Sequence, residues 1–521
     1  MAVSIIFVVV FLIGMVFIGF WGMKKTKTLN DFFLGGRTIG PWISAFAYGT
    51  TYFSAVLFIG FAGQFGWLLG SRALWIAAGN TIIGGLLAWL VLGKRTRRMT
   101  QNINAMTMPE FLCERYQTKA IKAVSAVIIF VFLLPYSAAA FKGLSHLFEA
   151  NFNIDYIFAL LIMVAITGVY LILGGYFAVT LTDFIQGLIM IAGSILMVAI
   201  LIGKGGGISS TFSSISSNYS QNMSNPKGIW FVIGLVGMTS LGTWGMPQMV
   251  QKFYAIKNEA VIKKAAIGTM VFALIITFIA YFTGATAHIF MQLPEKSENI
   301  STQNSEINIE KTAGQKMPLP VDTKTNKPLF DRIVPDLLRA KLPQALMALI
   351  LLLVLSASMS TLSSLVLVSS SSIAVDLYKG HINPEISKEN SLAMMRFLSG
   401  LFVALSFFIA YIVEVHKVAF ISTLMSLSWG AVAGSFMAPY VLGLFWKKAT
   451  AAGAWSGMII GLGLAIFTFI LARNPKTPFF GGNPFIGAVI SMLVPFVVIA
   501  LVSKFTRPPS KEMVEKAFEG I

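Results

Sequence analysis

Cysteine is nearly absent. Cys113 is the sole thiol in 521 residues, which excludes an intrachain disulfide and a thiolate metal cluster. The four histidines, His146, His288, His381 and His416, lie far apart, and no HExxH, CxxC or Walker pattern occurs. A zinc enzyme and an ATP-driven pump are therefore not expected. No nucleophile, base and third partner fall together, so no catalytic residue is assigned and no enzyme is expected. Charge is scarce too: 12% of residues are charged against 56% hydrophobic, and the mean hydropathy is +0.78. That balance describes one polytopic membrane domain. A net charge of +18 can signal nucleic acid, but in a membrane chain the bias of Lys and Arg toward cytoplasmic loops explains it more simply.

What is abundant is apolar sequence of spanning length. Thirteen stretches qualify: 3–22, 42–63, 73–92, 122–148, 154–174, 178–202, 229–248, 266–290, 343–377, 393–413, 418–444, 451–472 and 483–503. The first begins at Met1 with no basic leader and no small-residue cleavage site, so it reads as an uncleaved span. With the N-terminus outside, the inner loops hold 24 Lys and Arg and the outer loops 14. Eight of those 14 lie in segment 291–342, where seven acids nearly balance them, so N-out and C-in is the expected orientation. Two outer segments stand out. Residues 203–228 are Gly/Ser/Asn-rich and read as a flexible loop, and 291–342 reads as a polar connection. Asn218, Asn222 and Asn299 match the glycosylation acceptor pattern there.

The ninth stretch carries the strongest chemical signal. In LLLVLSASMSTLSSLVLVSSSSIAVDLY, Ala357, Ser360, Thr361 and Ser364 recur at i, i+3, i+4 and i+7, with Ser363 one turn after Ser360. Hydroxyl and carbonyl oxygens are hard ligands suited to a hard monovalent cation that must leave again. Lone serines in membrane helices commonly pack helices or bond back to the preceding turn, so the stripe needs partners elsewhere. Two ionisable residues fall within apolar sequence. Asp183, about two turns into the sixth stretch, needs a proton, a cation or a donor. Lys142 lies near the outer end of the fourth, where its stem can snorkel to the interface.

Two stretches are interrupted at mid-depth. The second carries Gly49, Thr50, Thr51 and Ser54; the seventh carries Gly242, Gly245 and Pro247. Five stretches separate them, the spacing of an inverted five-helix repeat, and paired discontinuous helices point to a midplane site. Carbonyls of Thr50 and Phe53 at the first break would face the hydroxyl stripe.

Four segments in this order resemble the sodium:solute symporter family, most closely its sodium/proline branch: FFLGGRTIGPW, GGYFAVTLTDFIQG, SASMSTLSSLVLVSSSSIAVDLYKG and SLSWGAVAGSFMAPYVLGLFW. The resemblance covers nearly the whole chain. It implies an all-α LeuT-type fold of about thirteen helices. The expected parts are a leading helix and inner loop (1–41), a first repeat (42–202), an outer loop (203–228), a second repeat (229–444, including 291–342) and two further spans with a tail (445–521). It implies sodium as coupling ion and no cofactor. The implied sodium ligands are the carbonyls of Thr50, Phe53 and Ala357 and the hydroxyls of Ser360 and Thr361. Some relatives have a second sodium site, matched here by Asp183, Ser360, Ser363 and Ser364. The sodium/proline branch usually lacks one of those hydroxyls.

Expected substrate contacts face the breaks: Ser54, Val56, Tyr136, Thr239, Thr243, Trp244 and Trp429. Tyr136 matches the proline branch. Tyr52, Val56, Thr239 and Thr243 depart from it, standing where that branch has an acid and aromatics, which predicts a wider, more polar pocket. A small amino acid, proline included, is expected ahead of a monocarboxylate and then a sugar. The expected partners are solute, sodium and the lipid of a cell membrane. A sensory membrane module is the alternative of another class, disfavoured because no soluble domain follows residue 504. Gly457 and Gly461 form a GxxxG that could serve helix association in the membrane.

Overall fold

The computed structural model describes residues 2–25, 34–173, 176–223, 227–293, 316–322, 325 and 327–521. It is helical throughout, apart from a two-residue parallel strand pair, Met291–Gln292 with Met317–Pro318. Each of the thirteen apolar stretches coincides with a helix or a broken helix. Among the described residues, nine helices are individually long and apolar enough to cross a membrane, and a bent pair makes a tenth.

The ninth helix is the axis of the molecule. It runs from Gln344 to Ser371 and continues in wider turns to Ile382, and its most apolar window is 89% buried. The corresponding figures are 39% for Val179–Lys204 and 33% for Ala451–Ala472, so these helices stand at the periphery. Their outward faces carry exposed apolar side chains such as Ile195, Ile459 and Phe467, as a lipid-facing surface requires. Small residues let the helices close: a methyl group on Gly284 would lie 1.7 Å from the Ala62 carbonyl oxygen. The GxxxG pair is used inside the chain. Gly457 packs against Ile499 and Gly461 against the Gly434 carbonyl, so this face is not free for a second copy.

Both breaks form. Pro41–Tyr52 ends because Phe53 turns extended (φ −113°, ψ 106°), and helix resumes at Val56. The Ser54 hydroxyl accepts from the Val56 amide at 3.1 Å and caps the new start. In the seventh stretch, Ile229–Trp244 and Pro247–Tyr254 meet at 42°. Pro247 there stands at the first helical position, where its missing N–H costs nothing.

Two segments expected on the outer side depart from their sequence reading. Residues 208–222 form a helix, Ile208–Asn222, instead of a flexible loop, with Thr211 and Ile215 buried. Serine hydroxyls of that helix donate back to carbonyls three or four residues earlier, as Ser213 and Ser220 do, which makes this polar sequence compatible with helix. Segment 291–342 contains the amphipathic helix Phe330–Lys341, which buries Ile333, Val334, Leu337 and Leu338. Asn218 and Asn222 lie on the first of these helices. Asn299, and Phe32, Phe33, Gly174 and Gly175 of the family-like segments, lie outside the described residues.

Candidate functional site

At the break in the second helix, the carbonyls of Thr50 and Thr51 lose the amide donors that a continuous helix would supply. Both accept instead from the Thr361 hydroxyl, each at 3.2 Å. The residues are buried, so these oxygens have no bulk water to turn to. Two freed carbonyls converging on one hydroxyl oxygen form a hard-ligand set that fits sodium, the threonine turning its lone pair inward. Thr51 joins this set, where the expected carbonyls were those of Thr50, Phe53 and Ala357. Phe53 lies at the break, and Ala357 one turn before Thr361 on the same face; both are buried.

Ser360 turns elsewhere. Its hydroxyl donates to Asp183 Oδ1 at 2.7 Å, while Ser363 donates back to the Ser360 carbonyl at 2.8 Å. Ser364 shares a 3.0 Å hydrogen bond with the Thr51 hydroxyl. The remaining member of this cluster is Lys252, whose Nζ lies 3.3 Å from Asp183 Oδ2 and 3.2 Å from Ser364 Oγ. Sequence reasoning placed Lys252 in an inner loop; the structure buries it on Pro247–Tyr254, with 2% of its surface exposed. A sodium ion about 4 Å from that ammonium would be repelled by about 4 kcal/mol at an effective dielectric of 20.

Beside the expected sodium ligands lies a cavity of about 20 Å³, room for a single water. Ser54, Val56, Tyr136 and Thr239 line it as expected, and Tyr52, Asn80 and Tyr281 join them. Trp429 stacks on Tyr52 (6.1 Å between centroids) and meets Tyr136 edge-on at 6.0 Å. Thr243 and Trp244 do not line it. Thr243 donates to the Ser240 carbonyl at 2.9 Å and Trp244 Nε1 to the Ile83 carbonyl at 3.1 Å. Against the expectation of a wider, more polar pocket, the cavity is small and its walls are partly aromatic. Aromatic walls come from Tyr52, which donates to the Thr239 carbonyl, and from Tyr281 on the eighth helix.

The two ends of the bundle differ. At the Arg37 end, the Ile39 amide donates to the Ala255 carbonyl at 3.3 Å and the Lys257 amide to Ile39 at 3.0 Å. Arg37 donates to the carbonyls of Thr100, Ala105 and Tyr254. Burial and neighbouring Arg97 lower its pKa to about 10, which leaves it charged at neutral pH. This end is tied shut. Toward the other end opens a cavity of about 490 Å³ lined by Gln64, Lys227, Phe420 and Phe485 among others. One turn of helix separates Gln64 from Phe61 of the closed pocket, and Ser422 donates to the Gln64 side chain.

Lys142 does not snorkel. It is 4% exposed, with Nζ 2.9 Å from Asp331 Oδ2, 3.2 Å from Glu414 Oε2 and 3.1 Å from the Ala419 carbonyl. Asp331, on Phe330–Lys341, also accepts from the Ile421 amide at 3.2 Å. Nothing in the hydropathy of residues 291–342 marked Asp331 as a partner for a fourth-helix lysine.

A helical bundle with two mid-depth breaks, freed carbonyls opposite a hydroxyl stripe and a pocket between them defines a LeuT-type secondary transporter. Residues 32–461 match the model of the sodium:solute symporter family, and the chain belongs to that family. It is 31% identical over 525 residues to the sodium/proline symporter of Staphylococcus aureus, covering 97% of this chain and 93% of that one. With the osmoregulated proline transporter OpuE of Bacillus subtilis it shares 29% identity over 511 residues, 96% and 94% of the two chains. A Na+-coupled sialic acid symporter solved in a substrate-bound outward-open state has the same fold, with a TM-score of 0.75, 18% identity and 98% of both chains covered. Mhp1, a nucleobase-cation-symport-1 family transporter solved in a closed conformation, superposes at a TM-score of 0.51 with 13% identity, over 93% of this chain and 97% of that one. The chain is a multi-pass membrane protein that carries a small solute by sodium-coupled symport.

Proposed function

We propose that the solute is a small zwitterionic amino acid, proline foremost, taken up by alternating access. The observation that carries this reading is the lining of the closed pocket: aromatic rings, Ser54, Asn80 and Thr239, with no charged side chain. A neutral lining suits a solute without net charge. A monocarboxylate would bring an uncompensated charge into low dielectric. The amino group of a zwitterion finds carbonyl oxygens at the broken helices, and its carboxylate finds the Asn80 amide and tyrosine hydroxyls. The relatives named as proline transporters support the same choice.

Sodium binds the Thr50 and Thr51 carbonyls and the Thr361 hydroxyl, with Phe53 and Ala357 contributing carbonyls from the same two helices. By tying the broken second helix to the ninth, it favours the conformation that accepts the solute. The thirteen helices all cross the membrane, N-terminus outside and C-terminus in the cytoplasm, with residues 42–202 and 229–444 as the inverted repeats. The chain works at the cell membrane without catalytic activity. Uptake of labelled proline into proteoliposomes, under an inward sodium gradient or an equal choline gradient, tests the reading. Accumulation with sodium alone is expected. Absence of uptake with proline, but uptake with a labelled monocarboxylate, would overturn the substrate assignment.

A further inference from the structure

Some relatives have a second sodium site, matched here by Asp183, Ser360, Ser363 and Ser364, but the residues present do not fit a second ion. We infer that the Lys252 ammonium takes the place of that second cation, so that the chain binds and carries one sodium per solute. The inference rests on the reading above that Thr50, Thr51 and Thr361 hold the first ion.

The geometry around Asp183 is that of a completed ion pair. One carboxylate oxygen accepts from Ser360 at 2.7 Å and the other faces Lys252 Nζ at 3.3 Å. Ser360 donates to the carboxylate and Ser363 to its own helix, each keeping lone pairs, but Ser364 lies 3.2 Å from the ammonium and 3.0 Å from the Thr51 hydroxyl, so a second sodium among these oxygens would sit against the lysine's positive charge. The charges balance as one carboxylate and one ammonium, which leaves no net attraction for a further cation. An alternative position for the lysine head would still be cut off from bulk water, since Lys252 is 2% and Asp183 0% exposed.

The lysine is also placed where an ion would couple helices. Asp183 belongs to the sixth helix, Ser364 to the ninth, and Lys252 to the second half of the broken seventh. Through Ser364 and Thr51 the contact reaches the first half of the broken second helix. A sodium at this point would join these elements only while bound. A tethered ammonium joins them without drawing on the sodium gradient. Lys252 is thus a positioning residue that sets the ion count, acting through the Asp183 carboxylate.

Equilibrium binding of radiolabelled sodium to the purified full-length protein in detergent counts the sites directly, independently of transport. The native chain is expected to bind one sodium. Lys252→Met, which leaves Asp183 unpaired, is expected to bind two, and adding Asp183→Asn to it should return the count to one. Two sites in the native chain would overturn the inference whatever the variants do, so the result does not depend on their folding. A count of one in folded Lys252→Met would overturn the lysine's role. No sodium bound to the native chain would instead overturn the first site, and with it the reading beneath this one. Charge movement per solute in proteoliposomes gives the second readout: one net charge is expected for a neutral solute, and two would sink the inference.

Discussion

In the sodium site proposed above, Thr361 is the central residue, because its hydroxyl meets two carbonyls that the helix break has orphaned. Thr361→Ala removes that oxygen and leaves both carbonyls buried without a donor, a loss of about 1–3 kcal/mol per unsatisfied group. Sodium affinity should fall about tenfold or more, read as the sodium concentration that half-saturates uptake. Thr361→Ser keeps the oxygen and should stay within a few-fold of the native value. The sequence exposed this residue because hydroxyls at helical spacing form a stripe whatever surrounds them. It hid Lys252 for an equally physical reason: the window around QKFYAIKNEA is polar, and hydropathy assigns such a window to a loop. Only the fold, by swinging Pro247–Tyr254 back into the bundle, reveals that the lysine is buried beside Asp183. Tyr281 was missed for lack of any local mark, since a tyrosine in an apolar helix carries no sign of the wall it faces.

At the scale of elements, the breaks were legible and the tertiary ties were not. Gly, Thr and Pro at mid-depth mark a discontinuity locally, so Phe53 and Gly245 fall where the pattern places them. The helix Phe330–Lys341 buries its apolar face against the bundle, and no local rule tells that from a connecting loop in a segment, 291–342, with five prolines. Its Asp331 meets Lys142 of the fourth helix, and Glu414 of the tenth completes the cluster. Lys142→Ala would leave buried carboxylates short of their cation, at a cost of about 3–5 kcal/mol. A clear fall in the thermal unfolding midpoint in detergent is expected, and an unchanged midpoint would refute the ion cluster's structural role. Close helix packing gives a matched pair. Gly284→Ala drives a methyl group into the Ala62 backbone, whereas the same change at Gly463 meets nothing within 4 Å. The first should destabilise by about 1–3 kcal/mol or more, and the second should be neutral in the same melt.

The whole molecule has a closed pocket, one end tied by backbone hydrogen bonds around Arg37 and Ile39, and a wide cavity toward the other. Transport requires those ties to open in turn, and the ion supplies the bias. A single sodium crossing with a neutral solute moves one elementary charge, worth about 2.3 kcal/mol at 100 mV. At about 1.4 kcal/mol per tenfold, that supports an accumulation of roughly fortyfold from the potential alone. Two sodium ions would square the figure to well over a thousandfold. The prediction is therefore a slope. In tightly sealed proteoliposomes with equal sodium on both sides, the steady-state ratio of internal to external proline should rise roughly fortyfold for each 100 mV imposed by a potassium diffusion potential. Leak lowers the ratio and cannot raise it, so a ratio above the one-ion limit would require a second charge whatever the quality of the vesicles. A ratio that climbs to that limit and no further, in the native chain, is what a bundle with Lys252 already seated at Asp183 should deliver.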